Sequence, residues 1–189
     1  MKKASILLLI ACFVPLFILG CGYTTRSMIS TKYSSIYITP FTNQIDITSE
    51  LNTGNKFRIY RPRLETDVTT AVTNRYYFDG NLKPVKKEVA DLVLKGEVVD
   101  YRKDPLRYTD GNDVSEYRMN LIVNISLWDN KENKMLWEEN GFTGYFEYFT
   151  NYYPLTNVAR YGENDDTVPL NNALEDLARR VVERTVNEW

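Results

Sequence analysis

Hydrophobic side chains recur along this chain in three distinct patterns, and each pattern predicts a different kind of segment. From Ile6 to Leu19 nearly every position is apolar. That run is shorter than the roughly 20 residues a spanning helix needs, and Pro15 interrupts it. With Met1-Lys2-Lys3 before it and small residues after, it reads as an export signal over residues 1–20. Residues 21–32 are mostly polar or small and read as a tether, leaving 33–189 as one domain.

Within that domain the pattern alternates between period two and the helical period. Tyr33 to Phe41 places Ile36 and Ile38 on one face and predicts a first strand ending at Pro40. Thr42 to Arg63 is a long polar connection. Leu64, Val68, Ala71, Val72 and Tyr76 stand at helical spacing, with Pro62 just ahead and Glu65 and Asp67 in the first turn, where acidic groups suit the helix dipole. Asp79-Gly80-Asn81 predicts the stop of that helix. Ala90 to Tyr101 carries Leu92, Leu94, Gly96 and Val98 on one face, and Asp104 to Asp113 is expected to turn the chain. Glu116 to Trp128 alternates most cleanly, with Tyr117, Met119, Leu121, Val123, Ile125 and Leu127 on the apolar side. Lys134 to Phe149 is a fourth strand, and Thr150 to Thr167 a loop without period. Leu170, Ala173, Leu174, Leu177, Ala178, Val181, Val182 and Val186 then form an amphipathic stripe. Its Glu175, Asp176 and Glu183 argue for packing on the sheet over an anionic membrane surface. The expected fold is an α/β (α+β) two-layer sandwich, a small mixed four-stranded sheet with two helices on one face in the order β-α-β-β-β-α.

Composition then narrows the chemistry. The chain has no histidine, and of its two cysteines Cys12 falls in the export segment. Ser-His and Cys-His nucleophilic arrangements and His- or Cys-based zinc sites are therefore excluded. Glu138-Glu139 and Asp165-Asp166 are adjacent pairs that read as solvated surface charges, and no phosphate-cradling glycine loop or calcium loop occurs. Neither catalysis nor a cofactor is expected. Loss of Lys2 and Lys3 with the signal leaves 21 basic against 25 acidic side chains, so nucleic acid is not the expected partner.

Ile18-Leu19-Gly20-Cys21 resembles the lipobox of bacterial lipoproteins, although Leu19 is bulkier than usual there. That resemblance implies lipidation of Cys21 and cleavage before it, which would leave the mature chain without a free thiol. Cys21-Gly22-Tyr23 opens the mature chain, followed by Ile36 to Asn43, Tyr60-Arg61-Pro62-Arg63-Leu64-Glu65, Gly96 to Tyr101, Pro105-Leu106-Arg107-Tyr108, Glu116-Tyr117-Arg118 and Leu136-Trp137. This ordered set resembles the LPS-assembly lipoprotein family, LptE. The resemblance implies an outer-membrane lipoprotein held on the periplasmic side by its N-terminal lipid. It further implies a plug in the LptD β-barrel that helps the barrel assemble and contacts lipopolysaccharide. The polar insertion near Ile45 to Asn55 and the long tyrosine-rich segment before the last helix depart from the family pattern.

Phosphorylated lipid A would call for exposed Arg and Lys. Arg102, Lys103 and Arg107, at the expected turn, are the preferred patch, and the resemblance points to the same place. Lys56, Arg58, Arg61 and Arg63 are the alternative patch. A free-standing periplasm-facing lipoprotein that binds a small ligand or a cell-wall component remains a second reading. A carboxylate-based hydrolase is a third, and it requires two acidic groups facing across a cleft.

Overall fold

The computed structural model describes residues 32–45, 57–58, 61–155, 157–162 and 165–187. The export signal, Cys21 and most of the tether lie outside them. Among the described residues no helix is long and apolar enough to cross a membrane.

Three long strands dominate: β5 (Leu92–Tyr108), β6 (Val114–Asp129) and β7 (Lys134–Thr150) form an antiparallel meander. The first strand, β1 (Ser35–Ile38), lies parallel to β5, and the chain passes between them through helix α1 (Leu64–Asp79). Four two-residue strands complete the sheet: β2 (Thr42–Asn43) and β3 (Phe57–Arg58) on β5, β4 (Lys83–Pro84) on β1, and β8 (Arg160–Tyr161) on β7. The main order is β4-β1-β5-β6-β7-β8. Helix α2 (Thr167–Asn187) packs on β7 and β6 and against α1.

The mixed sheet with two helices agrees with the pattern of the sequence, but among the described residues the sheet has eight strands instead of four. A two-residue strand has no period to reveal it. The second correction is at Asp104 to Asp113. Strand β5 runs on to Tyr108, and the turn is confined to residues 109–113. Pro105, read as a turn signal, is accommodated where the β5–β6 register shifts between Pro105 and Arg107, a place where a ladder amide is dispensable.

Two further register shifts lie near the middle of the meander. One falls between Val98 and Asp100 on β5; the other sets Asn140 and Gly141 of β7 against Asn124, with Gly141 at φ 71° and its N–H donating to Asn124 Oδ1 (2.9 Å). Each extra residue reverses the parity of its strand. On β5 the buried positions change from Leu92, Leu94 and Val98 to Tyr101 and Lys103. On β7 the inward row becomes Phe142, Gly144, Phe146 and Tyr148, opposite Val123, Leu121, Met119 and Tyr117.

Close approaches fix the layers. Phe41 lies over Gly96, where a Cβ would come within 2.1 Å of its ring. The backbone of Leu177 in α2 sits directly on Gly144, where a Cβ would stand 2.4 Å from Leu177 Cβ and 2.6 Å from its Cα. Helix α1 offers only a narrow stripe: Leu64, Val68, Val72 and Tyr76 are buried. Thr69, Thr70 and Thr73 bond back to carbonyls four residues earlier, so tertiary packing, not propensity, holds this helix. Tyr76 reaches across to α2, its hydroxyl donating to Thr185 Oγ1 at 2.8 Å inside the core. Gly80, at φ 76°, ends α1 with its N–H on Tyr76 O.

At the end of the sheet nearest the tether, Asp91 collects the backbone N–H and hydroxyl groups of Ser34 and Ser35 on one oxygen (2.9–3.2 Å) and Lys131 Nζ on the other (2.7 Å). The Lys131 ammonium foremost, with the serines behind it, holds this carboxyl well below the usual carboxylate range despite burial. The unfolded chain takes up that proton near pH 4, so the contribution of Asp91 is complete at neutral pH and fades as pH falls below about 5.

Two outcomes are expected. Gly144→Ala should destabilise the fold by about 1–3 kcal/mol in urea melts, whereas Gly111→Ala, with no neighbour closer than 3.5 Å, should change it by less than about 0.5 kcal/mol. Asp91→Asn should lower stability at pH 7 and flatten its decline between about pH 5 and 3, measured by denaturant midpoints across that range.

Candidate functional site

Strand pairing joins the two basic stretches at one position. Strand β3 runs antiparallel to β5, with Phe57 opposite Lys103 and Arg58 opposite Arg102. Of the second basic stretch, Arg58 is thereby set beside the first. Lys56 and the side chain of Arg58 lie outside what is described. Arg61 Nε lies 3.4 Å from Asp67 Oδ2, and Arg63 is exposed ahead of α1 with φ 62°.

The preferred patch is divided by the pleat. Arg102, Lys103 and Arg107 all lie in strand β5 and not in a turn, so neighbours point to opposite faces. Arg102 projects from the open face between two carboxylates, its Nη1 on Asp100 and its Nε 3.3 Å from Asp104. Burial works against that charge, but Asp100 and Asp104 more than offset it and the guanidinium is held more firmly protonated. Asn120, itself 6% exposed, donates from Nδ2 to Asp104 Oδ2 at 2.9 Å. One step further across the face, Arg118 Nε donates to Glu147 Oε1 at 3.0 Å and its guanidinium lies 5.2 Å from the Tyr145 ring. The open face is therefore a ladder of paired charges.

Lys103 points the other way and is 8% exposed. Its Nζ lies 3.0 Å from Asp166 Oδ1 and 5.5 Å from the centre of the Tyr117 ring. Around it the inner face carries Tyr101, Tyr117 and Tyr148, all buried, with Tyr161 set edge-on to Tyr148 at 6.0 Å. Burial, and next the nearby Asp166 charge, push the Tyr101 and Tyr148 hydroxyls up, so both remain protonated donors at neutral pH.

Arg107 is the most accessible cation of the three, with 58% of its side chain exposed. It pairs loosely with Glu116 (3.4 Å) and approaches the Tyr153 ring (5.9 Å). Leu106 and Tyr108 on either side are also exposed, so this end of the hairpin presents a cation flanked by apolar surface. An amphiphile with phosphate and acyl groups matches that combination.

Several of these residues were not singled out in the sequence. Asp165-Asp166 and Glu138-Glu139 read as surface charges; Asp165 and Glu138 are exposed, and Glu139, at the surface, pairs with Arg184 at 2.9 Å, but Asp166 holds the buried lysine. Parity across an unseen bulge decides which charges turn inward, and no local signal marks it. Among the described residues no cluster of three or more potential ligands could hold a metal ion. A separate groove of about 700 Å³ runs between α1 and α2, lined by Arg61, Asp67, Arg75, Phe78, Leu174 and Glu175 among others. Its charges are of both signs.

Comparison with known proteins adds a family. Residues 33–188 match the model of a family described as LptE, lipopolysaccharide-assembly. No curated protein matches the sequence. Among solved structures, a hypothetical protein from Chlamydia trachomatis is 16% identical, with 81% of this chain and 95% of that one covered and a TM-score of 0.48. Rare lipoprotein B from Shewanella oneidensis is 15% identical over 79% of this chain and 92% of its own, with a TM-score of 0.46. A minor lipoprotein from Acinetobacter baumannii is 14% identical over 82% and 93%, at 0.44.

The two ion-pair sets should differ in weight. Arg102→Met removes the cation that lies between two largely buried carboxylates and is expected to cost about 2–3 kcal/mol in urea melts, whereas Arg118→Met, with a pair more than a third exposed, should cost less than about 1 kcal/mol.

Proposed function

The chain belongs to the LptE lipopolysaccharide-assembly family, and from that premise we propose that it serves as a lipid-anchored subunit of the outer-membrane lipopolysaccharide transport complex. In this role it occupies the lumen of an LptD-type β-barrel, helps that barrel assemble, and contacts lipopolysaccharide during insertion into the outer leaflet. Cys21 carries the lipid, and Gly22 after it fits export to the outer membrane. The work is binding and assembly, without a catalytic step or a cofactor.

The observation that carries this reading is the extent of the family match, which begins at the buried Tyr33 and continues into the last helix. The shape supports it. Strand β5 has 17 residues, which at about 3.3 Å each spans on the order of 50 Å. A bilayer with its headgroups is about 40–45 Å thick. The start of β1 lies beside Leu92 and the Leu106–Tyr108 tip lies at the other end of β5. A lipid on the tether would therefore hold one end of the domain at the inner leaflet and let the other reach towards the outer leaflet. The open face, laddered with paired charges, suits the water-filled interior of a barrel.

For the lipopolysaccharide contact, Arg102, Lys103 and Arg107 remain the proposed residues, with Arg107 foremost because it is accessible. Lys56, Arg58, Arg61 and Arg63 remain the alternative patch, with Arg58 in β3 beside Arg102.

Detergent extraction should bring down a large β-barrel protein with this chain; recovery of the chain alone would contradict the plug and favour a free-standing lipoprotein. Arg107→Glu should weaken lipopolysaccharide binding about tenfold in a direct assay while the barrel complex still forms. Unchanged binding would remove Arg107 from the contact.

A further inference from the structure

We propose that the end of the domain nearest the tether is a docking surface for anionic phospholipid headgroups, and that it holds this end at headgroup level beside the N-terminal lipid. This rests on the reading that Cys21 carries a lipid, and it gives the membrane a second point of contact, on the folded domain itself.

Separate parts of the chain meet at this end. Lys32 lies next to Tyr33, whose hydroxyl donates to Asp129 Oδ2 at 2.9 Å, at the end of β6. Lys83 of β4 pairs with Ser35 at the start of β1, and its N–H donates to Ser34 O at 3.0 Å. Lys86 precedes the short 3₁₀ turn Lys87–Val89, and the carbonyl of Lys87 accepts from Asn130 Nδ2 at 2.8 Å. Lys131 lies in the turn between β6 and β7, and Lys134 opens β7 opposite Asp129. The last turn of α1 carries Tyr77 and Phe78 and stops at Gly80, just before Lys83.

The first observation that points to headgroups is how the cations are sorted. Among the described residues six of the eight lysines stand here, all exposed: Lys32, Lys83, Lys86, Lys87, Lys131 and Lys134. Of these, Lys83, Lys86, Lys87 and Lys134 pair with no carboxylate among the described residues. The carboxylates at this end are mostly engaged: Asp91 by Lys131 and the serines, Asp129 by Tyr33 and the N–H groups of Lys131 and Glu132, and Asp79 by Asn81. Glu88 and Glu132, both exposed, are the exceptions. Elsewhere the cations are mainly arginines in ion pairs, such as Arg102, Arg118, Arg179 and Arg184. An ammonium on a flexible stem suits phosphates that move in a fluid surface, whereas the rigid arginine fork suits fixed partners. The second observation is apolar. The most exposed large apolar side chains among the described residues, Phe78 at 80%, Val89 at 70% and Tyr77 at 62%, all stand at this end. Rings and aliphatic tips beside lysines match the boundary between headgroups and acyl chains.

The mature chain has no thiol besides Cys21, so a fluorophore on Glu132→Cys or, at the far tip, on Gly111→Cys reports each end separately. The lipidated chain is reconstituted in vesicles of phosphatidylcholine alone or with phosphatidylglycerol, each doped with lipid carrying a nitroxide on its headgroup. Quenching of the Glu132→Cys label should be at least about threefold stronger on the anionic vesicles and should fall as salt rises, while the Gly111→Cys label stays weakly quenched on both. Replacing Lys83, Lys86, Lys87 and Lys134 together by Gln should abolish that difference with an unchanged urea midpoint, and replacing them by Arg should keep it. Equal quenching on the two kinds of vesicle overturns the docking and leaves the anchor standing. A Gln variant quenched like the wild type also overturns it, and loss of a co-purifying protein from that variant assigns the lysines to a protein partner instead. A chain that floats with phosphatidylglycerol vesicles only keeps the docking and loses the anchor; one that floats with neither kind overturns both.

Discussion

The structure depends on a change of parity halfway along its sheet. The outer strands of the meander, β5 and β7, each take an extra residue near the same level, while β6 between them keeps one alternation. Before the bulges the inward positions are aliphatic: Leu92, Leu94 and Val98 against Val123, Ile125 and Leu127. Beyond them, Tyr101, Lys103, Tyr117 and Tyr148 turn inward. One sheet thereby contains two environments, a dry core near the tether and a hydroxyl-rich, charged inner face near the tip. Without the β5 bulge Lys103 would join the open face and Asp100 and Arg102 would be driven towards the helices, a register that the cost of burying unpaired charge forbids.

Helix α2 depends on the same arrangement. The β7 bulge brings Gly144 inward, and only glycine lets the backbone of Leu177 settle onto the sheet. With the helix that close, Asp176 Oδ2 accepts the Tyr145 N–H at 3.1 Å, and Arg180 and Arg184 lie over Phe142 and Trp137 at 5.8 and 4.7 Å. An edge amide that could recruit a foreign strand is thus occupied by a side chain, which suits the proposed place inside another sheet protein. The outward charges, paired across Asp100, Arg102, Asp104, Arg118 and Glu147, leave the open face polar, with three carboxylates to two guanidinium groups.

Long periodic segments were legible because burial imposes their period: the six apolar positions from Tyr117 to Leu127 are all buried, and the α2 stripe from Leu170 to Val186 is as well. The end of α1 was legible for a local reason, since Gly80 adopts the left-handed conformation that glycine favours. Strands of two residues were not, because their pairing is decided by partners far away in sequence. The basic patch was only half legible. Its residues were recognisable by type, but the side of the sheet each takes depends on a bulge, and Asp166 reaches Lys103 across 63 residues. Adjacent cations in a sequence need not form a patch in a strand, and here Arg102 and Lys103 face away from each other.

The central claim is that the polar open face stands against the wall of a barrel. Photo-crosslinking groups placed at Asn124 and Glu147 on that face, with a third at Leu94 in the core as control, test it most directly in intact outer membranes. The account predicts adducts with one large β-barrel protein from both open-face positions and none from Leu94. Adducts only between copies of this chain, or none from the open face, would contradict it.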